Sequence, residues 1–234
     1  MNFQVILFDL DDTLCDTTAS KRKVFEKVYE NNPKLHVLPK DEVVYLMISE
    51  RENYLEQQKG LQTFSRSEFW FNILRKLKLK LVVSELKQLI DDYWKYSLNE
   101  ISLFPKVDIV LKKILDSNTS SALVAGGDFF TKASKLIHLG IDRYFNYVFT
   151  SDVIQKPKTS IAMYKSIIKY LEVEPKLIAM VGNDPKQDII PAQKAGIITI
   201  QAMMSRQSKF QKFGNAKPDF IIYNIEELLK ILNI

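Results

Sequence analysis

Gln4-Val5-Ile6-Leu7-Phe8-Asp9-Leu10-Asp11-Asp12-Thr13-Leu14 decides the fold of this 234-residue chain. Residues 4–8 form a short apolar run that stops abruptly at a carboxylate, the pattern of a buried strand with a polar end. Similar runs follow at Ser121–Ala125, Tyr147–Phe149, Leu177–Val181, Ile197–Ile200 and Phe220–Ile222. Helical patterns lie between several of them. Apolar residues at 107, 110, 111, 114 and 115 make one stripe of period 3.6, and Ile161–Leu171 and Ile225–Leu232 behave likewise. Strands alternating with helices predict a parallel sheet covered on both faces.

The stretch from 17 to 102 breaks this alternation. It holds helical patterns near 17–31, 40–58, 65–78 and 83–100, punctuated by Pro33, Pro39 and Gly60. The alternating Lys76–Leu81 segment reads as a helix end followed by a turn rather than a strand. We therefore expect a core from residues 1–16 and 103–234, and an inserted helical domain over 17–102. Leu103-Phe104-Pro105 is the expected return linker. Aromatic residues are dense in the insert: Tyr45, Tyr54, Phe64, Phe69, Trp70, Phe71, Tyr93, Trp94 and Tyr96. They fit either the insert's own core or the lining of a pocket.

Composition narrows the function classes. One cysteine, Cys15, excludes an intramolecular disulfide framework and paired-cysteine zinc sites. No run of about 18 apolar residues is present, and the N-terminus has no secretory pattern, so a cytoplasmic protein that does not enter the membrane is expected. The net charge is +5. Its lysines are interspersed with acids along helical patterns, which argues for a solvated surface and against a nucleic-acid partner. Arg206, Lys209, Lys212 and Lys217 are the densest basic stretch, and they are not consecutive.

Four strand ends carry the chemistry. Asp9, Asp11 and Asp12 crowd the end of the first strand, where open α/β sheets bind ligands. Three carboxylates so close repel one another unless a cation lies among them, and hard oxygen donors suit Mg²⁺. Helix capping accounts for one of them, not for three. Gly182-Asn183-Asp184-Pro185-Lys186-Gln187-Asp188 follows another strand and sets two acids one turn apart. Lys156-Pro157 offers one ammonium from a loop. Gly126-Gly127 after a further strand lets main-chain N–H groups approach an anion. Cys15 has no local base to activate it. His138 lies in an apolar helical pattern and is expected to be packed; His36 lies in a proline-flanked turn.

In this order the four segments resemble the haloacid dehalogenase superfamily of hydrolases over nearly the whole chain. Asp9, Asp11 and Thr13 match that family's D-x-D-x-T motif, Lys156-Pro157 its lysine before proline, and Gly182–Asp188 its last acidic motif. The insert resembles the helical C1-type cap of subfamily I. The resemblance implies a phosphatase acting on a small phosphorylated metabolite. Asp9 is then the nucleophile that forms an aspartyl-phosphate, Asp11 the proton carrier, and Lys156 the counter-charge. Asp9, Asp11 (through its carbonyl), Asp184 and Asp188 would hold Mg²⁺, and Gly126, Gly127 and Lys156 the substrate. Two positions depart from the family pattern. Ala125 stands where a serine or threonine donor is usual, and Asn183 where aspartate is usual, so Asp184 is expected as the metal ligand. The alternatives are a 2-haloacid dehalogenase, which has no use for a proton carrier at Asp11, and a catalytically weak phosphate-binding regulatory protein.

Overall fold

The computed structural model describes residues 2–57, 65–204 and 217–234. They divide into two compact units, Met1–Asp16 with Ser102–Ile234, and Thr17–Ile101. Gly60, Phe64, Arg206, Lys209 and Lys212 lie outside the described residues, as does the side chain of Tyr54.

The first unit is built on a parallel sheet of six strands. These are β1 (Val5–Phe8), β4 (Ser120–Ala125), β5 (Tyr147–Thr150), β6 (Ile178–Gly182), β7 (Ile198–Ala202) and β8 (Phe220–Ile222), in the order β5-β4-β1-β6-β7-β8. All pairings are parallel. The expected α/β class is what the chain forms. β1 is buried on both faces, so its four residues are apolar without interruption. Ile6 and Phe8 face a core shared with Val107, Val110 and Ile114 of α5 (Val107–Asp116). Val5 and Leu7 face the opposite core, with Met163, Tyr164 and Ile167 of α8 (Ile161–Leu171). The alternation follows from the two-residue period of a strand.

This order fixes where a site can form. From the central β1 the chain builds outward through β4 and β5 on one side, then through β6, β7 and β8 on the other. Loops leaving β4 and β6 diverge, and the crevice between them opens beyond the carboxyl end of β1. A two-residue antiparallel pairing, β2 (Cys15–Asp16) with β3 (Ser102–Leu103), ties the chain's departure into the insert to its return. It has no periodic signature and went unseen in the sequence.

The second unit is helical: α1 (Lys21–Asn31), α2 (Lys40–Gln57), α3 (Arg66–Lys76) and α4 (Val83–Glu100). Its core gathers Val24, Phe25, Val28, Phe69, Trp70 and Tyr93. Phe25 and Tyr93 stack with centroids 5.7 Å apart. Much of the aromatic density is therefore core, whereas Tyr45 and Phe71 are exposed. The Lys76–Leu81 segment is a helix end: Lys78 turns into the left-handed region at φ 55°. The Leu79 N–H then donates to Leu74 O at 2.9 Å. His36 is exposed, its Nε2 2.9 Å from Tyr29 O. His138 ends α6 (Phe129–His138) on the solvent side, against the expectation of a packed ring; the core side of that helix is set by Leu136.

Candidate active site

β1 ends by handing Asp9 to the crevice. The Asp9 N–H still donates to Val181 O of β6 at 2.9 Å, so its backbone is held by the sheet. Leu10 O then accepts from Leu14 N at 2.9 Å and from Thr13 N and Cys15 N at 3.3 Å, closing one tight turn. Asp12 sits in that turn at φ 60°, a conformation that aspartate tolerates better than most residues.

The turn brings Thr13 back under Asp9. Thr13 Oγ1 donates to Asp9 Oδ2 at 2.9 Å and lies 3.3 Å from Asn183 Oδ1. On its other oxygen, Asp9 Oδ1 accepts from Lys158 Nζ at 2.5 Å. Lys158 Nζ also stands 2.6 Å from Asp188 Oδ1. The three charged side chains are buried together, so the ammonium is the counter-charge that keeps two carboxylates in one low-dielectric pocket. Burial alone disfavours the Lys158 ammonium, but Asp188 and Asp9 overcome it and raise its pKa above the lysine range. Burial pushes Asp188 up to about 7, with Asp9 adding to it and Lys158 opposing.

Two residues singled out in the sequence stand apart from this cluster. The ammonium beside Asp9 belongs to Lys158, not Lys156. Lys156 N–H closes the turn after α7 (Ser151–Ile154) by donating to Ser151 O at 3.2 Å, and its side chain is half-buried. The chain turns at Gln155 (φ 59°), and the ammonium that reaches the sheet edge comes three residues later. The two lysines flank one proline, and the spelling of the motif does not separate them.

Asp184 is the second. Its Oδ1 accepts from Lys186 N at 2.8 Å and Gln187 N at 3.3 Å, and its Oδ2 from Gln187 Nε2 at 2.7 Å. Asp184 is the cap of the widened turn Pro185–Ile189, and both of its oxygens are engaged there. Asp188 closes the same turn, its Oδ2 accepting from Asp184 N at 2.9 Å. Among the described residues, no three side chains of the His, Cys, Asp and Glu types gather around one point as metal ligands. Of the three expected ligands, Asp9 and Asp188 meet on Lys158 Nζ, and Asp184 is turned to its own cap. On the other side of Asp9, its Oδ2 and Asn183 Oδ1 share a neighbourhood through the Thr13 hydroxyl. A carboxylate and an amide oxygen, with the Asp11 main-chain carbonyl two residues beyond Asp9, are hard donors of the kind a small divalent cation takes.

Asp11 looks the other way. Its Oδ2 accepts from Lys132 Nζ at 2.5 Å, and its Oδ1 accepts from Lys135 Nζ. Burial works to raise its pKa, yet the two ammonium groups hold the carboxyl well below the usual range. Neither lysine was singled out in the sequence. They lie three residues apart on α6, which follows the Gly126-Gly127 turn. Asp128 caps that helix by accepting from Thr131 N at 2.8 Å. Gly127 has φ +94°, a conformation that requires glycine, and a Cβ there would touch Lys132 Cε at 3.8 Å. Ala125 is buried at the end of β4. Cys15 is buried with Sγ 3.6 Å from Leu10 O, and burial with Asp11 beside it pushes the thiol up, so it is not a nucleophile at neutral pH.

Residues 6–202 match the model of the haloacid dehalogenase-like hydrolase family. The chain belongs to this family. A glyceraldehyde 3-phosphate phosphatase of Pyrococcus furiosus is 24% identical over 98% of this chain and 92% of its own length. A pyrophosphatase of Oceanobacillus iheyensis is 22% identical over 99% of this chain and 98% of its own. Among solved structures, a magnesium-bound HAD-type hydrolase of Bacillus subtilis superposes with a TM-score of 0.74 at 18% identity, over the full length of both chains. A 2-haloacid dehalogenase of Pseudomonas syringae superposes with 0.71 at 23% identity, covering 99% of this chain and 98% of that one. These two share the fold. As a haloacid dehalogenase-like protein, the chain is a hydrolase. Among its described residues no helix is long and apolar enough to cross a membrane.

Proposed function

We propose that this hydrolase is a Mg²⁺-dependent phosphatase that works through an aspartyl-phosphate on Asp9. One observation carries this reading: the Asp9 carboxylate is clamped between Lys158 and Thr13 at the end of β1, with Asp11 two residues on. A fixed carboxylate next to a buried ammonium is a nucleophile already oriented toward an anion. The names of the relatives, a glyceraldehyde 3-phosphate phosphatase and a pyrophosphatase, support phosphate ester or anhydride chemistry.

In the first step an Asp9 oxygen bonds to phosphorus and the bond to the leaving oxygen breaks. Asp11, ionised between Lys132 and Lys135 in the resting site, must come away from them and take up a proton before it can give that proton to the leaving oxygen. In the second step water bonds to phosphorus, Asp11 takes the water's proton, and the Asp9–phosphorus bond breaks to free phosphate. Lys158 balances the charge of the phosphoryl group, and the Gly126 and Gly127 amides face its oxygens. Asp9, the Asp11 carbonyl and Asn183 would hold the magnesium ion, which when bound neutralises phosphoryl charge. Asp188 acts through Lys158 as a positioning residue. The helical unit Thr17–Ile101 occupies the place in the sequence of the family's helical cap. Displacement of halide from carbon gives no alkoxide to protonate, so a dehalogenase would leave Asp11 idle.

Phosphate release from a panel of phosphate monoesters, with and without Mg²⁺, tests the reading. Metal-dependent release that disappears in Asp9→Asn is expected. Release that survives Asp9→Asn overturns the role of the nucleophile.

A further inference from the structure

Lys132 and Lys135 stand out among the groups that the phosphatase reading does not use. Their side chains are each only 13% exposed, although lysines are rarely so buried. They rise from the same face of α6, since positions three apart are neighbours on a helix. Both heads converge on Asp11, one on each carboxylate oxygen. The Lys132 stem lies over Gly127, so the pair is seated on the turn that lines the phosphoryl site.

The two sides of the site therefore differ. Asp9, Lys158 and Asp188 form the side where phosphorus is attacked, and Lys158 supplies the cation there. Asp11 marks the side of the leaving oxygen, and that side has its own pair of cations. An ammonium has three N–H donors, and Lys132 gives one of them to Asp11 Oδ2. A leaving group bound against Asp11 thus lies within reach of two ammonium groups held by a rigid, capped helix.

We propose that Lys132 and Lys135 form a recognition site for an anionic leaving group, so that the substrate carries a second phosphate or a carboxylate next to the phosphoryl group transferred. This inference rests on the phosphatase reading and deepens it. The chemistry shared by the two sources is a second anion adjoining the scissile P–O bond. Such an anion makes charge-assisted hydrogen bonds to both lysines, and a neutral alcohol cannot.

Three substrates of similar size separate the possibilities: pyrophosphate, carboxymethyl phosphate and 2-hydroxyethyl phosphate. Their kcat/KM is measured with Mg²⁺ for the wild type and for Lys132→Met, Lys135→Met and the two Lys→Arg variants. We expect one or both anionic substrates to exceed 2-hydroxyethyl phosphate by roughly ten- to a hundredfold, the scale of a hydrogen bond to a charged group. The faster of the two identifies the anion as phosphate or carboxylate. Either Lys→Met change should collapse that ratio toward one, mainly through KM, and arginine should keep most of it. Equal kcat/KM for all three substrates in the wild type overturns the proposal, as does a parallel fall on all three in the methionine variants. Calorimetric binding of phosphonoacetate against ethylphosphonate gives a readout without turnover. Tighter binding of phosphonoacetate that is lost in both methionine variants supports the site even if no substrate is hydrolysed, a result that would count against the phosphatase reading alone. Equal binding of the two phosphonates overturns the site.

Discussion

Asp188 lies directly over the α-carbon of Gly182: a Cβ at residue 182 would stand 2.3 Å from Asp188 Cγ and 2.5 Å from its Cβ. No real Cβ contact is that short, so one of the two must move. Gly182 ends β6, and Asp188 closes the next turn through Asp184 N and pairs with Lys158. The glycine is thus what lets the counter-charge network pack onto the sheet edge.

Gly182→Ala should therefore act as an overpacking change that reaches the site. We expect a loss of about 1–3 kcal/mol in stability, measured by urea unfolding. Phosphatase turnover should fall further than stability explains, because Asp188 no longer holds Lys158 against Asp9. Wild-type turnover in a folded Gly182→Ala protein would show that Asp188 does not position Lys158.

The two lysines around Pro157 make a sharp comparison. Lys158→Met leaves Asp9 and Asp188 as buried carboxylates without their shared cation. Removing one partner of a buried ion pair costs about 3–5 kcal/mol. Lys156→Met takes away a half-buried lysine outside this network, and surface changes are usually within about 0.5 kcal/mol. Thermal unfolding and turnover of the two variants should diverge strongly. If Lys156→Met proves the more damaging, the assignment of the counter-charge to Lys158 is wrong.

The raised pKa of Asp188 gives a pH dependence with a definite sign. An unfolded aspartate releases its proton near pH 4, and the folded Asp188 near 7. Between these values the native chain binds more protons than the unfolded one, so this group's contribution falls as pH rises. In EDTA, wild type should lose stability relative to Asp188→Asn between about pH 4 and about pH 7, by at most about 1.4 kcal/mol per pH unit. Parallel stability curves for the two proteins would mean that Asp188 is ionised throughout.

The sheet was legible in the sequence because its strands are buried on both faces and read as apolar runs. The interruption of strand–helix alternation led to the expectation of an insert over 17–102, and the compact helical unit spans Thr17–Ile101. The pairing of Cys15–Asp16 with Ser102–Leu103 was not legible, since two residues carry no period. Asp9, Asp11 and Thr13 were singled out because their spacing is tied to one tight turn after a strand. The rest of the site depends on which polar side chains are buried. Lys158 against Lys156, and Asn183 against Asp184, are neighbours in sequence with the same chemistry or nearly so. Only the backbone turn at Gln155 and the cap at Pro185 decide which of each pair faces Asp9. Lys132 and Lys135 looked like solvated helix lysines until Asp11 was placed between their heads.

Ala125 is the remaining departure, and it yields the last prediction. The residue ends β4, fully buried, beside the Gly126-Gly127 turn. During phosphoryl transfer, charge spreads over three equatorial oxygens that need fixed donors. In the phosphatase reading Lys158 would serve one and a bound magnesium ion would neutralise charge on the others, so the donor that is missing falls to the main-chain amides of the turn. A missing donor of this type typically lowers kcat by about 10²–10³. Ala125→Ser or Ala125→Thr should therefore raise kcat, with serine favoured because it adds less volume to a packed strand end. Steady-state kinetics on one accepted substrate, alongside circular dichroism to confirm folding, decides the matter. An unchanged or lower kcat in both folded variants means that the amides at Gly126 and Gly127 already supply what the hydroxyl would add.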